Sequence, residues 1–204
     1  SRFSIFTYGP LGSGGVLAHG LGAVPEMIIV KSRGGSRAWC VYHHKNTAAP
    51  ETDHLVLNAT DATADATVWN DTAPTSTTVS VSGDGKVGTD ETYVAYAFAE
   101  VQGYSKFGKY TGNGNADGPF VYTGFKPAFI LHKQSSGTQE WQIRDNKRDT
   151  YNETSDTILH PDLTNADTTS TTNVLDFLSN GFKAIGTGAG TNEDGQTYIY
   201  AAFA

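Results

Sequence analysis

The sequence is short of several residue types, and each shortage narrows its fold or function. Its 204 residues include one cysteine, Cys40, so no internal disulfide framework can form. Charged residues make up 17 % and hydrophobic residues 38 % of the chain, both below the usual globular share. No apolar run approaches the roughly 18 residues of a membrane-spanning helix. The net charge of −7, without any basic block, predicts no binding to nucleic acid and no insertion into a membrane.

The residues that are abundant favour β-structure. The chain contains 23 Gly together with much Thr, Ser, Asn and Asp, which suit tight turns and rank poorly in helices. Ten Tyr, ten Phe and three Trp supply enough bulky apolar surface to build a core, which argues against disorder. This composition predicts an all-β fold of short strands joined by many turns.

An internal repeat is the strongest signal in the sequence. Three segment pairs recur in the same order: residues 24–31 with 126–133, Trp39 with Trp141, and residues 93–99 with 198–204. The first two pairs are separated by 102 residues and the third by 105. This spacing predicts a duplication, with a first β repeat over residues 1–102 and a second over 103–204. We expect two tandem, related β-sandwich modules of jelly-roll type, packed together, each with seven or eight short strands.

The strands after each tryptophan alternate between residues that the halves share and residues that differ. Trp39 and Val41 match Trp141 and Ile143, whereas Cys40 and Tyr42 are replaced by Gln142 and Arg144. Because alternate residues of a strand point to opposite faces, the shared face is predicted to be core. The divergent face is predicted to lie in solvent or in an interface.

No catalytic motif stands out, and we expect no enzyme. Cys40 lies between apolar residues of an apparent strand, which predicts an unreactive thiol. Zinc binding by Cys40 with His43, His44 and His54 matches none of the usual ligand spacings, so surface histidines are the preferred interpretation. Acidic residues are too plentiful for any pair to indicate a glycosidase.

A calcium site is the one cofactor that the sequence favours, and otherwise no cofactor is expected. Asn113, Asn115 and Asp117 place oxygens at alternate positions before Gly118, as in the first half of a calcium loop. The twelfth position of the loop is Gly124 instead of Glu, so this is not an EF-hand. A glycine-rich turn without an ion is the alternative.

Tyrosines in or beside polar loops are candidates for stacking on a carbohydrate. The predicted ligand-binding residues are Tyr42, Tyr104, Tyr110 and Tyr122, and Tyr8 and Tyr151 are in similar surroundings. Tyrosine is also common at the half-buried rims of β-sandwiches that bind no ligand. Both interpretations stay open from the sequence.

The junction between the halves carries a resemblance to a known family. Residues 93–114 and 117–125, with the segment WNDTAPTS at 69–76 and LSNGF at 178–182, resemble a duplicated domain of tailed-bacteriophage virion proteins. Such domains are common in marine phages and occur in tail-fibre proteins. The resemblance covers nearly the whole chain and transfers no catalytic residues. It implies a location in the virion, on its exterior surface or tail, and assembly into an oligomer.

Three functions are compatible with this resemblance. The first is adhesion by a tail-fibre or spike module, with a trimer favoured, that contacts a host surface glycan or protein. The second is an architectural role in capsid decoration or tail assembly, with other virion proteins as partners. The third is a polysaccharide depolymerase, which requires acidic residues clustered in a groove.

Overall fold

The computed structural model describes residues 2–89, 91–149, 152 and 154–204. It confirms the all-β fold, and the chain divides into two compact units. The first unit comprises residues 1–58 and 63–100, and the second comprises residues 59–62 and 101–204. The helices among the described residues are two single 3₁₀ turns, Pro50–Thr52 and Thr67–Trp69, and neither has the length or apolar character to cross a membrane.

The first unit contains eight strands within its described residues. They are β1 (Phe3–Tyr8), β2 (Gly14–Ala18), β3 (Met27–Ser32), β4 (Cys40–His43), β5 (Asp53–Val56), β6 (Ala64–Asp65), β7 (Thr78–Ser82) and β8 (Tyr93–Phe98). One antiparallel sheet has the order β1-β8-β3-β4-β5-β6, and β2 pairs with β7 in a second sheet. Side chains of both sheets, such as Ile28 and Tyr42 from the first and Val79 from the second, form one buried cluster. This is the arrangement of a β-sandwich.

The second unit contains nine strands within its described residues. They are β9 (Ser105–Thr111), β10 (Phe120–Tyr122), β11 (Phe129–Gln134), β12 (Gln142–Asp145), β13 (Asp156–Ile158), β14 (Thr168–Ser170), β15 (Leu175–Leu178), β16 (Gly181–Ala184) and β17 (Thr197–Phe203). The sheets have the orders β12-β11-β17-β9, β10-β16-β15 and β13-β14. Tyr198 and Ile130 of the first of these sheets pack with Phe182 of the second, again as a sandwich.

The prediction for the faces of the tryptophan strands was right for Val41 and Trp141 on the shared face, which are buried, and wrong for the divergent face. Cys40 and Tyr42 in β4 are buried, and so are Gln142 and Arg144 in β12. The divergent face is therefore the core face, because it points at the second sheet of each sandwich. Ile143, on the face predicted to be core, is only half-buried. The alternation was identified correctly, but a difference in residues between the halves does not indicate solvent exposure, because each half can build its core from different side chains.

Candidate functional site

A cavity of about 180 Å³ lies in the second unit, beside the end of β12. Its lining combines charged and amide side chains with two apolar ones: Lys126, Arg144, Asp145, Asn146, Asp149, Asn152, Asp156, Leu175 and Phe177. Strands β12, β13 and β15 supply five of these residues: Arg144, Asp145, Asp156, Leu175 and Phe177. The cavity is thus formed largely by the regular strands of the sandwich, which hold its lining in place.

The turn after β12 is shaped by its own carboxylates. The Asp145 carboxylate accepts hydrogen bonds from the backbone N–H groups of Lys147 and Arg148, at 3.0 and 2.8 Å. The Asp149 carboxylate accepts one from the N–H of Thr157 in β13, at 2.6 Å. Short polar side chains that accept from nearby backbone N–H groups stabilise turns. These bonds hold both acidic residues at the cavity.

Asn152 joins the cavity to β15 in the manner of an added strand. Its amide nitrogen donates to the carbonyl oxygen of Phe177 at 3.1 Å, and its amide oxygen accepts from the N–H of Phe177 at 2.9 Å. A side-chain amide matches the donor and acceptor pattern of a strand edge. The apolar ring of Phe177 is thereby placed among polar groups.

A buried ion pair anchors the cavity in the core. Arg144 Nε donates to Asp156 Oδ2 at 2.6 Å, and the two side chains are only 3 % and 8 % exposed. The same carboxylate oxygen accepts from the N–H of Leu175 at 2.8 Å. Arg144 also donates from Nη2 to the carbonyl of Asn173 at 2.6 Å and from Nη1 to His132 Nε2. A buried charge is tolerated when it is paired and hydrogen-bonded in this way.

The protonation states around this ion pair follow from burial and from the arginine charge. Burial, and next the charge of Arg144, lower the pKa of His132 well below its usual value, so the ring is neutral and can accept from Arg144. Burial raises the pKa of the Asp156 carboxyl, and the Arg144 charge opposes that rise. For Asp145, burial acts upward, but the N–H donors of Arg148 and Lys147 outweigh it and lower the pKa.

The cavity can form many hydrogen bonds and one or two apolar contacts. Carboxylates accept, lysine and arginine donate, and the amides of Asn146 and Asn152 do both. Ligand sites typically combine a few placed polar groups with apolar and aromatic surface. The volume is smaller than the roughly 300 Å³ at which typical ligand pockets begin, so the site would hold one small polar group at a time.

Two of the predicted ligand-binding tyrosines are core residues. Tyr42 is 4 % exposed and lies edge-on to Trp69, and Tyr110 is 7 % exposed and stacks on Tyr198. The Tyr110 hydroxyl donates to the carbonyl of Thr191 at 2.8 Å. Neither ring has an open face, so the basis for predicting carbohydrate stacking at these two positions is removed. For Tyr110, the core therefore accommodates both the apolar ring and the polar hydroxyl of an amphipathic side chain.

The other predicted tyrosines differ in position. Tyr104 and Tyr122 are 54 % and 64 % exposed, and neither lines the cavity. Tyr104 precedes β9, and Tyr122 ends β10, so they belong to different sheets of the second unit. Tyr8 stacks on Tyr93 and is half-buried, and Tyr151 lies outside the described residues. Carbohydrate binding at Tyr104 and Tyr122 stays a prediction.

The predicted calcium residues form a loop whose oxygens already accept hydrogen bonds. Asn113 Oδ1 accepts from the N–H of Asn115 at 3.0 Å, and Asn115 Oδ1 accepts from the N–H of Asp117 at 2.9 Å. Asp117 pairs with Lys183, and this contact lowers the pKa of its carboxyl. The buried amide of Asn192 donates to Asn113 and to the carbonyl of Asn115. These bonds favour the glycine-rich turn over the ion site, and calcium binding stays a prediction.

Comparison with known families gives one result. The whole sequence, residues 1–204, matches DUF7483, a domain of unknown function. The chain belongs to the DUF7483 family. Comparisons with curated proteins and with solved structures found no match. Membership of DUF7483 assigns no activity, so the resemblance to tailed-phage virion proteins stays a prediction.

Sequence reasoning missed the lining of the cavity in this DUF7483 chain. Asp149, Asn152 and Asp156 lie in a polar stretch that resembles an ordinary loop, and Arg144 was assigned to the surface. One signal was present in the sequence. Arg144 follows Trp141 by three residues, and at the same distance after Trp39 the other half of the chain has the bulky Tyr42. A residue that replaces a core residue in a repeated strand is itself a candidate for the core.

Proposed function

We propose that this chain is a non-catalytic adhesion module of tail-fibre or spike type, which binds a host surface glycan in the cavity of the second unit. The observation that carries the proposal is the lining of that cavity. Charged and amide side chains converge beside the ring of Phe177, with Arg144 and Asp156 fixed behind them by a buried ion pair.

The chemistry of the lining suits a ligand rich in hydroxyl groups. A hydroxyl both donates and accepts, so it can bond to the Asp145 carboxylate, to the amide of Asn146 and to the ammonium of Lys126. The apolar face of a sugar ring can pack on Phe177. A cavity of this size would take up one polar group of a sugar residue in a longer chain.

The cavity also provides an argument for the depolymerase alternative, because Asp145, Asp149 and Asp156 cluster in it. Each of these carboxylates is already engaged by the chain itself. Asp156 pairs with Arg144 and accepts from a backbone N–H. Asp145 accepts from N–H groups of the following turn, and Asp149 accepts from the N–H of Thr157 in β13. Carboxylates committed to structural hydrogen bonds are poorly placed to transfer protons, so binding is preferred over hydrolysis.

An architectural role is supported by a different feature, the edge strand β1 of the first unit. It pairs with β8 on one side, and its side chains Phe3 and Ile5 are 43 % and 57 % exposed. Edge strands with apolar side chains are ready sites for association with another chain. This surface is compatible with a homo-oligomer, such as the expected trimer, or with capsid decoration or tail assembly among other virion proteins.

A binding screen with matched variants tests the adhesion proposal. The purified chain is applied to a panel of bacterial surface polysaccharides, and retained polysaccharide is measured. Within the described part of the chain, the side chains of Lys126 and Asn146 make no hydrogen bond, so replacing them with alanine leaves the fold intact. We expect the double variant Lys126→Ala/Asn146→Ala to bind about tenfold or more weakly, because each lost hydrogen bond is worth about 1 kcal/mol.

Three controls decide between the alternatives. Lys109→Ala removes an exposed lysine outside the cavity and should leave binding unchanged. Tyr104→Ala and Tyr122→Ala test the stacking sites predicted from the sequence. Retention of no polysaccharide, or equal binding by the wild type and the cavity variant, would refute adhesion through this cavity. Release of new reducing ends from a bound polysaccharide would replace adhesion by depolymerisation.

A further inference from the structure

Three side chains that could ligate a metal lie close together where three strands of the large sheet in the first unit begin or end. Glu26 immediately precedes β3, His44 immediately follows β4, and Glu100 lies two residues after β8. Strand β3 lies between β8 and β4 and is antiparallel to both. The start of β3 and the ends of β8 and β4 therefore lie side by side at the same end of the sheet. The backbone fixes them there, through bonds from Glu26 N to Phe98 O at 2.8 Å and from His44 N to Glu26 O at 2.9 Å.

The ligand atoms of the three residues are close enough to share one ion. One carboxylate oxygen from each glutamate and one ring nitrogen of His44 all lie within 4.8 Å of one another. His44 Nδ1 contacts Glu26 Oε2, and the two side chains are 21 % and 24 % exposed. The cluster is therefore mostly sheltered, and both side chains keep some contact with solvent.

The donor set points to a class of ion. Imidazole nitrogen suits zinc, copper, iron and nickel, and zinc also takes carboxylate oxygen, which is the ligand that manganese favours. Calcium and magnesium prefer oxygen ligands alone. Two carboxylates at this distance repel each other, and one imidazole supplies at most one positive charge. A divalent ion bound to all three groups would neutralise both carboxylates, with water in its remaining positions.

The second unit provides an internal comparison, because its sheet has the same edge without these side chains. Ala128 N bonds to Phe203 O at 2.7 Å, and Asn146 N bonds to Ala128 O at 2.9 Å. These are the same two backbone bonds, with Ala128 in place of Glu26 and Asn146 in place of His44. The same backbone hydrogen bonds therefore form without a carboxylate and an imidazole at these positions. The fold does not require Glu26 and His44, so their presence needs another explanation.

We propose that Glu26, His44 and Glu100 form a binding site for one divalent transition-metal ion, of the zinc or manganese class. Such an ion would join the ends of three neighbouring strands and stabilise the first unit. The proposal is independent of the cavity in the second unit.

Calorimetric titration of the full, chelator-treated chain with zinc chloride and with manganese chloride tests this site. We expect saturable binding of one ion of at least one metal per chain, and a rise in the melting temperature on adding that metal. The variant Glu26→Ala/His44→Asn carries the residues that the second unit has on the same backbone, so it should fold and lose the binding. Asp71→Asn removes an exposed carboxylate elsewhere in the first unit and should bind as the wild type does.

The outcomes separate a metal site from a plain histidine–glutamate contact. The proposal would be overturned if the wild type bound neither ion saturably. It would also be overturned if the double variant bound the ion as well as the wild type does. Circular dichroism checks that the variants are folded. If the double variant is unfolded, Glu100→Gln decides, because it keeps the shape of the side chain and removes its charge, and retained binding by this variant counts against the site.

Discussion

The two units of this chain use one arrangement of backbone to enclose different interiors. In the first unit the strand order begins β1-β8-β3-β4, and in the second it is β9-β17-β11-β12, so the strands occur in corresponding order along the sequence. The ladder registers also correspond. Val30 pairs with Cys40 in one sheet, and His132 pairs with Gln142 at the corresponding place in the other.

Both units contain a stacked pair of tyrosines at corresponding positions. The rings of Tyr8 and Tyr93 are 5.1 Å apart with an angle of 14°, and those of Tyr110 and Tyr198 are 4.9 Å apart with an angle of 10°. Tyr8 and Tyr110 each donate a hydroxyl hydrogen bond to a backbone carbonyl far along the chain. The shared ladder and this shared pair support our inference that the two units are copies of one module.

The interiors of the two units differ at corresponding strand pairs, β3 with β4 in the first unit and β11 with β12 in the second. Ile28 pairs with Tyr42 in the first unit, and Ile130 pairs with Arg144 at the corresponding place in the second. All four side chains are buried, yet only Arg144 brings a charge, which Asp156 balances. The same ladder thus accepts an apolar or an ionic interior. We infer that the ionic interior is not needed for the fold and instead serves the cavity that it lines.

The largest expected effect comes from breaking the ion pair. Asp156→Ala leaves the Arg144 guanidinium buried without its counter-charge, and we expect a loss of about 3–5 kcal/mol in the free energy of unfolding of the second unit. Native-state hydrogen exchange, measured separately on peptides of each unit, would detect the loss in the second unit while the first is unchanged.

Asp167→Ala is the matched control for that variant. Asp167 pairs with Arg148 on the surface of the same unit, with side chains 42 % and 28 % exposed. Surface pairs of this kind contribute about 0–1 kcal/mol, so the control should lose little stability. Similar losses from both variants would contradict the role assigned to the buried pair.

The units also differ in which of two paired strands carries the large side chain and which carries the small one. Phe6 pairs with Ala95 in the first unit, and Gly108 pairs with Tyr200 at the corresponding place in the second. A methyl carbon added at Gly108 would lie 2.6 Å from the Tyr200 hydroxyl oxygen. We expect Gly108→Phe alone to cost about 3 kcal/mol, as overpacking of a buried site does.

The double variant Gly108→Phe/Tyr200→Ala reproduces the pair of the first unit and conserves volume, so it should recover most of that loss. Urea unfolding of the two single variants and the double variant measures the recovery as a coupling energy. Additive losses would show that the two sites are not interchangeable, and would weaken the inference that the units are copies.

The smallest of these effects is a pH dependence confined to the second unit's ionic interior. His132 stays neutral in the folded chain because burial and Arg144 lower its pKa, whereas an unfolded histidine takes up a proton below about pH 6.5. The unfolded state then binds more protons, so stability falls as pH drops, by up to about 1.4 kcal/mol per pH unit.

The variant His132→Val carries the residue found at the corresponding position of the first unit, Val30, and has no group to titrate there. Urea unfolding at several values between pH 5 and pH 7.5 should give a shallower slope for this variant than for the wild type. Parallel slopes would mean that His132 is not buried as a neutral ring.

Much of the fold could be predicted, because the residues of a strand themselves indicate that it is a strand. The apolar run at β3, the run at β11 and the closing strands β8 and β17 were recognised from β-branched and aromatic residues. The core face could not be assigned in the same way. Burial of Arg144 depends on Asp156, which lies 12 residues away in a polar stretch, and pairing over that distance leaves no periodic signal in the sequence.

The cavity was less predictable than the fold for the same reason. Its lining comes mainly from β12, the following turn, β13 and β15, and these segments are brought together only by the folded sandwich. The tyrosines singled out for binding illustrate the converse. Tyr42 and Tyr110 are amphipathic, and an amphipathic ring beside polar residues has the same sequence pattern whether it lies in the core or on the surface.

We propose that the second unit carries the ligand site in its cavity, and that the buried ion pair of Arg144 and Asp156 supports this cavity from behind. Titration of the ¹⁵N-labelled chain with an oligosaccharide from the best-bound polysaccharide, followed by heteronuclear NMR, tests it most directly. We predict that the largest amide shifts fall on Asn146, Asp149, Asn152 and Phe177. Shifts centred on Tyr104, on Tyr122 or on the first unit, with the cavity amides unmoved, would contradict the claim.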